Sequence, residues 1–264
     1  MTALLPTRLV EKPWGKDVLP APFAAPPGQR IGEIWFEPPR SFAQLLIKYI
    51  FTSEALSVQV HPSEAQLPGH GKEECWLVVD AEPGAALGIG FSEPIGPEEM
   101  RAAALDGSIE TLLEWYPVKP GDFFYIPANT VHAIGAGVSL IEVQQNSDVT
   151  YRLYDYGRPR ELHLDDGMAV ALGTALDPGH RLHVPASGDC MLADGPWFRL
   201  DRADGAIAEA TSARFGRAPL LVIPTSGTAR IAREAIAPGQ CGFAPSLAEV
   251  KIDGPVLLAQ PCSS

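Results

Sequence analysis

Apolar and polar positions alternate with a period of two along much of the chain. The clearest example is 55–62, where Val58 and Val60 share one side and Gln59 and His61 share the other. Such alternation is typical of a β-strand with one buried face. Runs rich in apolar, β-branched or aromatic residues predict further strands at 31–38, 42–51, 74–81 and 85–91.

Helical spacing replaces this alternation in residues 96–118. Pro97 is suited to the first turn of a helix, and Gly107 is suited to its end. Ser108 is then expected to cap a second helix that extends as far as Trp115. This stretch is therefore interpreted as a small helical insertion between strands.

Strands resume after the insertion, and a helix predicted at 161–174 leads to a second series of short β-like runs. The 26 prolines and 25 glycines among 264 residues are spread out, as frequent turns between short strands require. We predict a mainly β fold in two units. Residues 1–160 form the first, with an irregular arm at 1–30 that Trp14 anchors, and 161–264 form a smaller second.

The second unit contains a faint copy of a motif found in the first. In GDFFYIPANTVH a glycine, five residues and a proline lead to His132. GQCGFAPSLAEV repeats this spacing from Gly239 but ends at Val250. We therefore expect the second unit to have the shape of the first and to lack a metal ligand.

Charge and composition exclude some classes of partner. The formal net charge is −12, so the basic surface that nucleic acid requires is missing. An anionic metabolite remains possible only in a locally positive pocket. No apolar run resembles a signal peptide or a membrane span. The four cysteines form no CxxC pair, which favours reduced thiols and a cytoplasmic protein.

Four side chains offer a possible metal site. Alternation places Gln59 and His61 on the same side of one strand. If the strand that starts near residue 72 lies beside it, Glu74 joins them, and His132 follows a turn that can complete the set. Mixed nitrogen and oxygen ligands suit Zn²⁺ best, with Fe, Mn or Co possible in the same geometry.

The motif that ends at His132 is itself informative. The spacing G-x₅-P-x₄-H is typical of cupin (jelly-roll) barrels, in which the glycine and proline form the turn that presents a metal-binding histidine. Cupins usually have glycine at the position of Asn129. Asparagine tolerates a positive φ better than most residues, so this departure is mild.

Longer stretches resemble one particular family. VQVHP, GKEECW, IPANTVHAIG and above all LIEVQQNSDVTYRLYDYGR are similar to the type I mannose-6-phosphate isomerases in their short bacterial form. EKPWG near the start and ELHLDDGMAVAL after the site also fit, so the resemblance covers roughly residues 8–174. It implies cupin barrels, one zinc ion per chain, and interconversion of mannose 6-phosphate and fructose 6-phosphate.

The resemblance also implies roles for individual residues. It assigns the zinc to His61, Glu74 and His132, which the short bacterial members use most clearly, and to Gln59. It also places Lys72 in the active site and Glu142, Asp148 and Arg152 around the sugar. Some members carry a histidine just before the lysine that is proposed to assist ring opening. Gly71 stands there in this chain, so that role is empty or falls to Asp148 or His70.

Isomerisation requires a base at the carbon next to a carbonyl and a cation at the oxygen where negative charge develops. Lys72 is one candidate base, provided that the metal and Arg152 lower its pKa. Glu142 is the other candidate. The sequence does not choose between them.

Two other functions compete with the isomerase. One is an Fe-dependent cupin oxygenase, and the other is a non-catalytic sugar-binding cupin. The joint presence of Lys72, Glu142 and Arg152 beside a full ligand set favours the isomerase. Its expected partner is a sugar phosphate, and the protein is expected to be a monomer or homodimer.

Overall fold

The computed structural model describes residues 3–262, which are mainly β. The strands of the first half are β1 (Thr7–Lys16), β2 (Ile31–Phe36), β3 (Leu45–Phe51), β4 (Val58–Val60), β5 (Glu74–Ala81), β6 (Ala86–Phe91), β7 (Leu113–Pro117), β8 (Asp122–Ile126), β9 (His132–Ile134), β10 (Val138–Gln145) and β11 (Tyr151–Tyr154). Those of the second half are β12 (Arg181–His183), β13 (Cys190–Asp194), β14 (Phe198–Asp204), β15 (Leu220–Pro224), β16 (Thr228–Ile231), β17 (Glu234–Ile236), β18 (Gly242–Ala244), β19 (Val250–Asp253) and β20 (Pro255–Pro261). The α-helices are α1 (Pro97–Asp106), α2 (Ile109–Leu112), α3 (Leu164–Val170) and α4 (Glu209–Phe215), with 3₁₀ turns at Arg40–Phe42, Pro178–His180 and Leu247–Glu249. No helix among these residues is both long enough and apolar enough to cross a membrane.

The strands form four antiparallel sheets, and the prediction of a mainly β fold is confirmed. A seven-stranded sheet, in the order β1-β2-β3-β10-β5-β8-β12, combines six strands of the first half with β12 of the second half, and a five-stranded sheet, β11-β4-β9-β6-β7, lies within the first half. The second half contains a five-stranded sheet, β13-β14-β20-β15-β18, and a three-stranded sheet, β17-β16-β19. Each half is thus built from two facing sheets, as in a jelly roll.

Alternate residues of β5 point to opposite faces of the seven-stranded sheet, so they pack into two different apolar cores. On one face of the seven-stranded sheet, Trp76 packs with Leu87 of the first five-stranded sheet. On the opposite face, Cys75 and Leu77 belong to a core that also contains Leu200 of the second half. The seven-stranded sheet is therefore covered on both sides.

Two further cores complete this stack of layers. Helices α1 and α3 cover the outer face of the first five-stranded sheet, where Met100 packs with Val58. In the second half, Val222 and Ile231 pack between the five-stranded and three-stranded sheets. The division at residue 160/161 stays a prediction.

The predicted irregular arm at 1–30 is wrong for Thr7–Lys16, which form β1; residues 1 and 2 lie outside the described part. This strand pairs with β2, with Thr7 opposite Phe36. It was missed because it lies at the edge of the sheet and most of its side chains are exposed, so it has little apolar alternation. Trp14 is only 2% exposed, which agrees with its expected anchoring role.

The insertion begins as predicted, with Pro97 in the first turn of α1 and Gly107 at its end with φ 85°. The second helix is shorter than predicted because residues 113–117 form β7 and pair with β6. Ser108 makes no side-chain cap; its backbone N–H instead donates to Asp106 Oδ1 at 2.8 Å. Pairing with a distant strand outweighs helix propensity here.

The faint repeat has a structural counterpart. Gly121 and Gly239 both have positive φ, at 93° and 82°. His132 begins β9 and Val250 begins β19. In both halves the motif leads from a strand of one sheet to a strand of the facing sheet.

Candidate active site

The first five-stranded sheet aligns three of the residues singled out from the sequence. Gln59 of β4 lies directly opposite His132 of β9 on one side and Arg152 of β11 on the other. Directly opposed residues of antiparallel strands share one face of a sheet. His61 lies two positions beyond Gln59, at the end of β4, and alternation gives it the same side.

The seven-stranded sheet supplies the facing wall. Glu142 of β10 lies between Lys48 of β3 and Trp76 of β5. Its Oε1 accepts a hydrogen bond from Lys48 Nζ at 2.9 Å, and its Oε2 accepts one from Trp76 Nε1 at 3.0 Å. Lys48 Nζ also donates to Gln144 Oε1 at 2.5 Å, and Gln144 lies opposite Glu74. Hydrogen bonds therefore link the side chains of Lys48, Glu142, Trp76 and Gln144 across three neighbouring strands.

His61, Glu74 and His132 come together between the two sheets. One ligand atom from each residue lies within 4.8 Å of the others, and all three residues are buried. His61 Nε2 is 3.6 Å from Glu74 Oε2, and His132 Nε2 is 3.4 Å from Glu74 Oε1. Two imidazoles and a carboxylate form a common ligand set for a divalent metal ion.

The chemistry of the cluster fits a metal. Each imidazole donates its Nδ1–H to a backbone carbonyl, His61 to Val149 and His132 to Thr130, both at 2.8 Å. These bonds select the tautomer in which Nε2 has a free lone pair. Glu74 Oε1 is buried and accepts no hydrogen bond from any residue of the range 3–262. A cation at this place would satisfy all three groups.

The protonation states agree with this arrangement. Burial, together with the charge of Lys72, puts the pKa of His61 well below its usual value and lowers the pKa of His132 to about 4. Both imidazoles are therefore neutral near pH 7, as metal ligation requires.

Gln59 lies beside the cluster. Its amide Nε2 is 3.3 Å from His132 Nε2, while its Oε1 accepts a hydrogen bond from Ser57 Oγ at 3.2 Å. Ligation through oxygen requires the amide to turn by 180°, which exchanges the two atoms. Its role as a ligand stays a prediction.

Lys72 touches the cluster directly, with Nζ 2.6 Å from Glu74 Oε2 and 3.0 Å from His61 Nε2. Burial lowers the pKa of Lys72, but the attraction of Glu74 and Glu142 outweighs burial, and the net shift is upward. The surrounding carboxylates therefore favour the ammonium form of Lys72. To act as the base in catalysis, Lys72 would instead need a lowered pKa. For Glu142, burial raises the pKa, but Lys48 and Lys72 outweigh it and hold this side chain as a carboxylate.

A cavity of about 320 Å³ adjoins the cluster. Five of the site residues expected from the sequence line this cavity, namely Gln59, Lys72, Glu142, Asp148 and Arg152. Gln59 and Lys72 contact the ligand cluster and the cavity at once. His70 is exposed and does not line the cavity.

Sequence reasoning missed three basic residues that line this cavity, Lys12, Lys48 and Arg160. Lys48 is buried in the middle of the apolar strand LLIKYIF, and a lysine at a buried strand position is itself a signal of function. Arg160 lies in the loop after β11, and it pairs with Asp155 at 2.5 Å beside the cavity. Arg158, also paired with Asp155, does not line the cavity.

The charge of the cavity differs in sign from that of the whole chain. Its lining includes five Lys or Arg side chains and three Asp or Glu side chains. The chain as a whole has a formal charge of −12. The locally positive pocket that an anionic metabolite requires is therefore present.

Comparisons with known proteins bear on this site. No model of a known protein family matches the chain. The mannose-6-phosphate isomerase ManA of Bacillus subtilis (strain 168) is 38% identical over 174 residues, which cover 59% of this chain and 55% of that protein. The mannose-6-phosphate isomerase of Streptococcus mutans serotype c is 44% identical over 136 residues, which cover 48% of this chain and 43% of that protein. The chain is related to the mannose-6-phosphate isomerases. It spans about half the length of the curated relatives it matches.

Solved structures extend the likeness of fold over nearly the whole chain. The crystal structure of the mannose 6-phosphate isomerase from Bacillus subtilis superposes with a TM-score of 0.75, covering 97% of this chain and 98% of that one at 23% identity. A mannose 6-phosphate isomerase bound with zinc and yttrium has a TM-score of 0.71 at 14% identity, covering 99% and 100%. The predicted cupin-like fold and the resemblance to mannose-6-phosphate isomerases are thus confirmed.

Proposed function

We propose that this protein is a zinc-dependent aldose–ketose isomerase that interconverts mannose 6-phosphate and fructose 6-phosphate. One observation carries the proposal: a buried cluster suited to a metal lies beside a locally positive cavity, with Gln59 and Lys72 between them. The names of the relatives support this reaction, and the structure bound with zinc supports the choice of ion. One zinc ion per chain would be held by His61, Glu74 and His132, with Gln59 as a fourth ligand.

Two groups of the chain can assist proton transfer between C1 and C2. Zinc, when bound, supplies a Lewis acid that polarises the carbonyl group of the substrate. Glu142 lines the cavity as a carboxylate, so it can accept the proton from carbon. The Lys72 ammonium group can donate a hydrogen bond to a substrate oxygen as negative charge develops there. We therefore assign the base to Glu142 and the electrostatic role to Lys72.

The remaining cavity residues suit a phosphorylated sugar. Arg152 and Arg160 both line the cavity, and their positive charge favours the phosphate dianion. Arg152 is held in place by its Nε, which donates to Glu161 O at 3.0 Å. Asp148 also lines the cavity, and we assign to it the exchange of protons with the ring oxygens during opening, which is the role that Gly71 leaves empty.

The proposal extends to cellular setting and assembly. We place the protein in the cytoplasm as a monomer or homodimer. The cysteines Cys75, Cys190, Cys241 and Cys262 are free thiols, in keeping with a reducing compartment.

The test is interconversion of the two hexose 6-phosphates, measured with and without a chelator and after addition of Zn²⁺. Chelation should abolish turnover and zinc should restore it. His132→Gln should also lose bound metal, measured by elemental analysis, whereas His183→Gln serves as the matched control because His183 is half exposed and remote from the cluster. Full activity in protein shown to be free of metal would refute the metal role. Turnover on neither hexose phosphate would refute the isomerase itself.

A further inference from the structure

A second cavity, of about 430 Å³, lies on the other face of the seven-stranded sheet. Glu73 and Tyr125 contribute to it from this sheet, and His180 contributes from the 3₁₀ turn that precedes β12. Leu192 and Gly195 close it from the second half of the chain. The function proposed above uses none of these residues.

The polar end of this cavity is rich in hydrogen-bond acceptors. Tyr125 donates its hydroxyl hydrogen to Glu73 Oε2, which leaves the phenolic oxygen able to accept. The His180 ring lies 5.5 Å from the Tyr125 ring, and its Nδ1 is buried without a hydrogen-bond partner among residues 3–262. A buried polar atom without a partner is costly, and in the tautomer protonated at Nε2 this nitrogen is an acceptor, so a ligand that donates hydrogen bonds would be favoured here.

The fold keeps this polar end in place. Gly195 packs so closely on the Tyr125 hydroxyl group that a Cβ atom would collide with it. Burial raises the pKa of Glu73, and the side chains of Tyr125 and Trp197 beside its carboxyl group oppose that shift. The acceptor groups are thus fixed by neighbours from both halves of the chain, as a preorganised binding site requires.

The walls of the cavity have a different character. Phe123, Leu182 and Leu192 line it with apolar surface, and Pro127 and Pro196 add more. The lining contains no Lys or Arg side chain; its second carboxylate, Asp194, is paired with Arg214 at 2.8 Å, so Glu73 supplies the negative charge of the polar end. An apolar chamber with acceptors and negative charge at its polar positions matches a small cation with a hydrocarbon body.

We propose that this cavity binds a small primary amine in its protonated form. The three N–H donors of the ammonium group match the Glu73 carboxylate, the Tyr125 oxygen and His180 Nδ1. The hydrocarbon chain lies along Phe123 and Leu192. A neutral alcohol lacks the charge and the number of donors, and a carboxylate carries the wrong sign.

The position of Glu73 links this site to the metal cluster. Glu73 immediately precedes Glu74, and alternation directs their side chains to opposite faces of the sheet. The backbone at Glu73 is fixed by Gln145, whose side-chain oxygen accepts from Glu73 N–H at 2.9 Å and whose N–H donates to Glu73 O at 3.0 Å. A molecule bound in the second cavity would therefore contact Glu73, the residue next to a proposed metal ligand.

The probe is n-butylamine hydrochloride, titrated into the full chain by calorimetry and compared with n-butanol and sodium butyrate. The amine should bind about tenfold or more tightly than either analogue, since a bond to a charged group contributes more than a neutral one. In an NMR titration the backbone N–H signals of Gly179 and Gly195 should shift, because both glycines line the cavity. Shifts at Arg152 instead would place the amine in the first cavity and overturn the proposal.

Two variants test the residues named. Glu73→Gln should weaken amine binding about tenfold, whereas Glu249→Gln, at an exposed position in the second half, should leave it unchanged. His180→Phe keeps the ring packing and removes the acceptor, so it provides the measurement if Glu73→Gln does not fold. Equal affinity for amine and alcohol, or no loss in either cavity variant, would overturn the proposal. These experiments measure binding and not turnover, so their results do not depend on the proposed isomerase activity.

Discussion

Lys48→Met should destabilise the folded protein strongly at neutral pH. The Lys48 ammonium group and the Glu142 carboxylate are 2.9 Å apart, and their side chains are only 9% and 4% exposed. Removing one partner of a buried ion pair leaves an uncompensated buried charge, which typically costs ~3–5 kcal/mol. Because Glu142 keeps its bond from Trp76 Nε1, we expect a loss near the lower end, about 3 kcal/mol.

The pH dependence follows from the pKa of Glu142. Although burial raises this pKa, Lys48 and Lys72 lower it overall, from the ordinary value of 4.5 to about 2 in the folded protein. A lowered carboxyl pKa contributes stability that is present above 4.5 and is lost as the pH falls toward 2. Without Lys48 that contribution disappears and the buried carboxylate opposes folding. The destabilisation by Lys48→Met should therefore be largest near pH 7 and smaller at about pH 4.

Urea denaturation of metal-free protein at these two pH values measures the effect. Lys16→Met is the matched control, because Lys16 and Glu82 are equally close at 2.8 Å but Glu82 is 62% exposed. Its cost should stay below about 1 kcal/mol. Replacing both partners, in Lys48→Met with Glu142→Leu, should recover part of the lost stability. The reasoning fails if Lys48→Met costs no more than the control, or if the double variant is no more stable than Lys48→Met alone.

Three further substitutions test the site and its turn. Arg152→Ala should keep its metal but lose about 100-fold or more in kcat/KM, as other losses of charge stabilisation do; normal turnover would remove Arg152 from the site. Gln59→Ala should lower zinc affinity about tenfold in a chelator competition, and unchanged affinity would exclude it as a ligand. Asn129 has φ 72°, so Asn129→Gly should be about 1 kcal/mol more stable than Asn129→Ala in thermal unfolding. Equal stability of these two variants would contradict an effect of backbone strain.

Strands with one buried face were predictable because their alternation is local. The strand predicted at 74–81 has the same bounds in the structure. The alternation at 55–62 was enough to place Gln59 and His61 on the same side of another strand. The motif ending at His132 and the long stretch through Arg152 located the second half of the site. Each of these patterns can be recognised without knowing which strands are neighbours in the sheet.

Features that depend on distant partners were not predictable in this way. Edge strand β1 and strand β7 owe their conformation to pairing with β2 and β6. Helix α4 and strand β13 were not recognised either. The role of Lys48 depends on its position opposite Glu142, 94 residues away, and no local pattern encodes that register.

The seven-stranded sheet, covered on both faces, determines how the chain can be divided. A fragment ending at residue 160 would leave Cys75, Leu77 and Ile141 more exposed to water, because the second half supplies part of the apolar core that contains them. The start of the chain is also tied to that half, since Leu5 N–H donates to Cys241 O at 2.9 Å. An isolated N-terminal fragment would therefore retain every proposed metal ligand and still be prone to aggregation. The second half, without a ligand of its own, acts as the solubilising cover of the sheet that carries Glu74.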